Sequence, residues 1–112
     1  MVNIETFRQQ ALAFPEVTEE PHFEKTSFRV KKKIFATLNL NANRACLKLS
    51  LQDQDLFGLY DKRIVYPVPN KWGQSGWTLI ELANVPEEML ADALKAAYIE
   101  VAPKKLSDLI VE

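Results

Sequence analysis

One cysteine, one histidine and three glycines are all that the 112 residues hold of those types. The lone Cys46 excludes an intrachain disulfide and suits a reducing compartment, so the chain is read as cytoplasmic. The lone His22 follows Glu19-Glu20-Pro21, and a Ser-His-Asp arrangement would have to use it with no nucleophile marked nearby. Cys46 and His22 make a thiolate pair only if the fold joins them, and together they fall short of a structural zinc set. No Gly-rich phosphate loop follows any strand pattern, and no run approaches the ~20 apolar residues of a membrane span. There is no basic start with an apolar run behind it, and no repeat or low-complexity tract. These absences give the expectation of a non-enzymatic protein with no metal and no cofactor.

What is present is ordinary for a folded domain: 47% hydrophobic and 26% charged residues, in a chain sized for one unit spanning 1–112. The net charge of −1 conceals a segregation. Residues 1–24 set Arg8 against five acids, and residues 72–112 set three lysines against seven acids. Residues 25–71 hold ten Lys/Arg against Asp53, Asp55 and Asp61, a net of +7. Charge sorted in this way builds a local field although the total is near zero.

The first helix is expected from Asn3, a good N-cap, to Phe14, with Ile4, Phe7, Ala11 and Phe14 at helical spacing and Pro15 closing it. Glu16, Glu19 and Glu20 then read as a solvated acidic turn rather than a cation site. Strands follow over 23–30, 33–40 and 44–51, with Lys31–Lys33 as a turn. Alternation puts Phe28, Val30, Ile34, Ala36, Leu38, Leu40, Ala45, Leu47, Leu49 and Leu51 inward. Gln52 to Tyr60 reads as a short helical turn, and 64–68 as a strand that Pro67 confines to an edge. Residues 69–76 form a loop, and Trp77 to Leu82 the last strand. Pro86, Glu87 and Glu88 open a helix whose stripe is Leu90, Ala93, Leu94, Ala97 and Val101; Pro103 interrupts it before a short final helix. The fold class is α+β: a two-layer sandwich, an antiparallel sheet with the N- and C-terminal helices on one face.

The open face of that sheet is expected to carry Lys25, Ser27, Arg29, Lys33, Phe35, Thr37, Arg44, Cys46 and Lys48. Cations interleaved with an aromatic suit phosphate attraction and base stacking. The plainer reading is that such lysines and arginines keep the sheet soluble. Trp72 and Trp77 flank a glycine-containing loop beside Lys71, and alternation leaves open which of them is exposed, because Leu79 shares the face of Trp77. The candidate nucleic-acid-binding residues are Lys25, Arg29, Lys31, Lys32, Lys33, Phe35, Arg44, Lys48, Lys71, Trp72 and Trp77.

Several short motifs, in order, resemble one family. They are Arg8-Gln9-Gln10-Ala11-Leu12 with Phe14-Pro15-Glu16-Val17, and Phe28-Arg29-Val30 before Lys33-Ile34-Phe35-Ala36. Trp77-Thr78-Leu79-Ile80 follows, then Ala97-Tyr98 with Val101-Ala102-Pro103-Lys104-Lys105-Leu106. Over nearly the whole chain this is similar to the MmcQ/YjbR-like family. The resemblance implies a CyaY-like, frataxin-type α+β fold and a DNA-binding label, the latter by structural analogy. The sequence departs from the family pattern where residues 69–77 place two tryptophans near the expected one. Frataxin-type iron binding uses an acidic first helix, and here only Glu5 precedes Pro15, which disfavours iron. Two functions stay open at this point. One is nucleic-acid binding by the basic strands, with DNA as partner. The other is a protein- or small-ligand-binding module, built on the tryptophan loop and open sheet and able to form a homodimer.

Overall fold

The computed structural model describes residues 2–110. Asn3 caps the first helix, α1 (Ile4–Leu12), its Oδ1 accepting from the Thr6 N–H at 2.7 Å. Phe7 and Ala11 on that helix are buried. Three antiparallel strands follow the first, giving β1 (Val17–His22), β2 (Lys25–Val30), β3 (Lys33–Asn39) and β4 (Arg44–Lys48). Then come α2 (Leu51–Gly58), β5 (Val65–Pro67), α3 (Lys71–Gln74), β6 (Trp77–Glu81), α4 (Glu87–Val101) and α5 (Lys104–Ser107). The sheet order is β1-β2-β3-β4-β6-β5, so β6 slots between β4 and the edge strand β5, and every pairing is antiparallel.

Cross-strand partners share a face, so the register decides what points where. Ala36, Leu47, Thr78 and Pro67 form one row, and Leu38, Ala45, Ile80 and Val65 another. Onto this side α4 lays Leu90, Ala93, Leu94, Ala97 and Tyr98, all buried. Phe7 meets Phe28 edge-on at 5.6 Å, and Phe14 stacks on Tyr98 at 4.9 Å, which ties α1 and α4 to the same layer. The Tyr98 hydroxyl donates to the Pro15 carbonyl at 2.7 Å across 83 positions of chain. Pro103 ends α4 by forcing Ala102 to an extended ψ of 147°. The sandwich class and the helices on one face are therefore as the alternation predicts.

Four local differences have physical reasons. The acidic stretch after α1 is an edge strand, β1, and not a solvated turn: Glu19 faces α1 and receives Arg8 at 2.8 Å, while Glu16 pairs with Lys31 at 2.8 Å. Residues 69–76, expected as a loop or tight hairpin, contain the one-turn α3, capped by Asn70 Oδ1 accepting from the Trp72 N–H. β4 stops at Lys48 because the Ser50 side chain caps α2, accepting from the Asp53 N–H at 3.1 Å, so Leu51 begins a helix and is exposed. The fourth difference matters most. Phe28 pairs with Ala36 but Arg29 pairs with Ile34, so Phe35 is the extra residue of a β-bulge. The slip turns Phe35 inward to 0% exposure against Phe14 and Tyr98, and sets Ile34, not Lys33, opposite Arg29.

Candidate nucleic-acid interface

The bulge takes Lys33 and Phe35 off the open face, while Lys25, Ser27, Arg29, Thr37, Arg44, Cys46 and Lys48 share it as alternation predicts. Its central row, read across the register, is Ser27, Thr37, Cys46, Leu79 and Tyr66, which carries no ionised cation. Ser27 is fully buried there, its Oγ donating to the Glu20 carbonyl and accepting from Arg29 Nε at 2.9 Å. Arg44 is bound to Glu81 at 2.9 Å, and the Tyr66 hydroxyl donates to the same carboxylate. Burial, followed by that hydrogen bond, raises the Tyr66 phenol.

Burial likewise pushes the Cys46 thiol from 9.0 up to about 11, with Lys25 opposing the shift weakly. Cys46 is therefore a protonated strand residue at neutral pH, and the His22 ring instead lies edge-on to Phe23 at 4.9 Å. Two consequences are measurable. Iodoacetamide at pH 8 should alkylate folded Cys46 about a hundredfold more slowly than a free thiol, with urea restoring the rate. Because the folded value lies above the unfolded one, the stability linked to this group is complete below pH 9 and lost as pH rises through about 11.

The register instead sorts the candidate cations to opposite ends of the sheet, roughly 20 Å apart at ~3.3 Å per residue. At one end lie Lys25, the exposed Phe23 at the β1–β2 tip, and the paired Arg44. Arg29 sits along β2 between the ends, with no ion pair among the described residues. At the other end, the Val30↔Lys33 pair closes a two-residue turn in which Lys31 and Lys32 have φ of 50° and 70°. Both values are left-handed, as a type I′ turn requires, yet neither residue is Gly or Asn. The Lys48↔Trp77 pair ends β4 at this same end, and the connection carrying Lys71 and Trp72 leaves from Pro67 beside it. The last turn of α4 arrives here too, since Glu100 meets Lys48 at 3.7 Å, and Lys104 and Lys105 follow. Glu16, Glu100 and Asp108 neutralise Lys31, Lys48 and Lys104 respectively. Lys32, Lys33, Lys71 and Lys105 are exposed and have no ion pair among the described residues, while Asp53 and Asp55 stand on the adjoining α2.

The tryptophans divide between two roles. Trp77 is half-buried on the open face beside Lys48. Trp72 is 55% exposed in a connection held by backbone contact. A Cβ on Gly73 would lie 1.9 Å from the Val68 carbonyl oxygen, so only glycine fits. Gln54 reaches from α2 to clamp the same segment, its Nε2 donating to Gly73 O at 3.0 Å, Thr78 Oγ1 at 3.0 Å and Trp77 O at 3.3 Å. Sequence reading missed Gln54 because it lies on α2, outside the basic strands and the tryptophan loop. A polar residue inside the amphipathic pattern of α2 was the only mark Gln54 left.

Of the eleven predicted site residues, then, the fold gathers Lys31, Lys32, Lys33, Lys48, Lys71, Trp72 and Trp77 at one end. It leaves Lys25, Arg29 and Arg44 apart and removes Phe35 to the core. Among the described residues no group of three or more His, Cys, Asp and Glu is placed to hold a metal ion, and no helix is long and apolar enough to cross a membrane.

A family model described as YjbR matches residues 12–99. No curated protein matches the chain. Among solved structures, the crystal structure of the Deinococcus radiodurans protein DR2400, with a domain described as DUF419, is similar at a TM-score of 0.80. The two are 21% identical, and the match covers 98% of this chain and 88% of that one. At this identity the likeness shows the fold alone.

Proposed function

This chain belongs to the YjbR family, and from that premise we propose that it is a binding domain rather than an enzyme, with nucleic acid as ligand. The observation that carries the reading is the gathering of three exposed lysines, Lys32, Lys33 and Lys71, none with an ion pair among the described residues, at the end of the sheet that displays Trp72. Lysines neutralise phosphates without reading sequence, and an exposed indole offers a stacking platform to a base already out of its helix. A single strand therefore suits the surface better than a duplex. The frataxin-type comparison belongs to this reading without its iron chemistry, since Glu5, the one acid of α1, is held by Arg8 at 3.0 Å.

Fluorescence anisotropy of labelled single-stranded and duplex DNA, followed from low to physiological salt, tests it. Single-strand binding is expected, with log K falling against log salt at a slope of about −2 if three lysines contact phosphate and each contributes about −0.7. The double reversal Lys32→Glu/Lys71→Glu should weaken binding at least tenfold while shifting stability by less than about 0.5 kcal/mol, as exposed sites do. Trp72→Ala should remove about 1–3 kcal/mol of single-strand affinity and leave the salt slope unchanged. Binding that survives the double reversal, or its absence at low salt, defeats the proposal.

A second reading has one observation in its favour. Leu56, Leu59 and Tyr60, on and just after α2, are exposed as Trp72 is, and such side chains suit a protein partner, a second copy of the chain included. That reading requires a complex that persists at high salt and is lost with Trp72→Ala or Leu59→Ala.

A further inference from the structure

A shallow cavity of about 390 Å³ opens between α2 and the connection that carries Trp72. Pro67, Val68 and Pro69 are its apolar lining and Gln54, Asn70 and Gln74 its polar lining, the Asn70 Oδ1 being engaged by the Trp72 N–H. No charged residue lines it. Its volume lies within the ~300–1,000 Å³ range of small-molecule sites.

The orientation of one amide is fixed by chemistry. The end of Gln54 that faces the Gly73 and Trp77 carbonyls must be the nitrogen, because a carbonyl oxygen only accepts. The Thr78 hydroxyl, whose proton goes to the Gly76 carbonyl at 3.0 Å, accepts from that nitrogen as well. Gln54 Oε1 is thus turned the opposite way. Gln54 as a residue is only 8% exposed, and no donor reaches Oε1 among the described residues. Yet that oxygen is not sealed from solvent, which leaves it open to the cavity that Gln54 lines. It is an acceptor held in place through Nε2, with no protein donor among the described residues. The Gln74 amide, also without a partner among the described residues, stands on the same rim as a free donor.

We propose that this cavity takes one unpaired nucleobase bearing an exocyclic amino group. Gln54 Oε1 accepts from the amine, and Gln74 donates to an adjacent ring nitrogen. An amide oxygen and an amide nitrogen are what adenine N6 and N7 receive when one Asn or Gln reads them, and here two residues share the task because the Gln54 nitrogen is engaged. The proline wall offers a flat apolar surface to the ring, and the neutral lining suits an uncharged group. The inference rests on the nucleic-acid reading, and adds to it a place where a base, rather than a phosphate, is held.

Phosphate-free nucleosides separate the two ideas, because they need no lysine. Adenosine and purine riboside, which lacks the amine, would be titrated into ¹⁵N-labelled protein and followed by amide chemical shifts. Adenosine is expected to move the Gln54 side-chain amide, Gly73 and Gln74, to leave Lys31 to Lys33 still, and to bind at least tenfold tighter than purine riboside. Gln54→Met removes the acceptor and should cost at least tenfold. Thr78→Val loosens the clamp but keeps the acceptor, and should change affinity less than threefold. Equal binding of the two nucleosides, or equal losses in both variants, overturns the proposal. So does an absence of shifts at the cavity while single-stranded DNA still binds, which leaves the lysine reading standing. If adenosine binds and DNA does not, the lysine reading falls and the cavity remains.

Discussion

Replacing Gly76 by alanine is expected to destabilise the domain by about 3–5 kcal/mol, seen as a lower urea midpoint at unchanged slope. Two independent penalties meet at this position. The backbone has φ of +107°, a region that L side chains rarely adopt, and an added Cβ would lie 1.9 Å from the Leu49 carbonyl oxygen. Neither strand can back away easily, because the Leu49 N–H donates to the Gly76 carbonyl at 3.0 Å and so holds the two backbones together. The Thr78 hydroxyl also bonds to that carbonyl, which couples the position to the Gln54 clamp. Gly58→Ala is the control. There the nearest atom to an added Cβ is Val65 O at 3.8 Å, an ordinary contact, so this substitution near the end of α2 should cost nothing measurable. A Gly76→Ala protein within 1 kcal/mol of the parent would show that the connection bearing Trp72 is not rigid, and the case for a preformed surface would weaken with it.

Phe35→Ala should likewise cost about 3–5 kcal/mol, as large aromatic deletions in cores do, and should leave nucleic-acid affinity per folded molecule unchanged. The ring is wholly buried, with Tyr98 edge-on at 5.6 Å and Phe14 at 6.4 Å. Deleting it opens a void where α1, α4 and β3 converge, and Tyr98 is the residue that also ties α4 to Pro15. Trp72→Ala is expected to behave in the opposite way, sparing stability and lowering affinity. Thermal melts and anisotropy on the same two variants check the contrast. A stable Phe35→Ala protein with weakened binding would mean that the bulge does not turn this side chain inward in solution.

Phe35 also shows how far a sequence can be read. The alternation in β3 is regular, and nothing in Lys33-Ile34-Phe35-Ala36 marks the extra residue, because a bulge is a property of two strands in register. Everything upstream of the slip changes side, which is why Lys33 leaves the row of Arg29. β1 was hidden for a related reason: its inward Glu19 looks solvated until Arg8 of α1 is placed beside it. Helices whose apolar stripe meets a partner directly, such as α1 and α4, were legible, α1 together with its Asn3 cap. The lysine-rich end was legible as a charge count over residues 25–71 but not as a place. Only the antiparallel order brings the β2–β3 turn, the end of β4 and the residues after Pro67 to one side.

Both border strands of the sheet contain a proline, Pro21 in β1 and Pro67 at the end of β5. A proline has no N–H to offer an incoming chain, and β5 is only three residues long, so neither border is a good template for another strand. The sheet is closed to growth at its margins. A second molecule is therefore directed to the side chains of the open face rather than to lengthening the ladder.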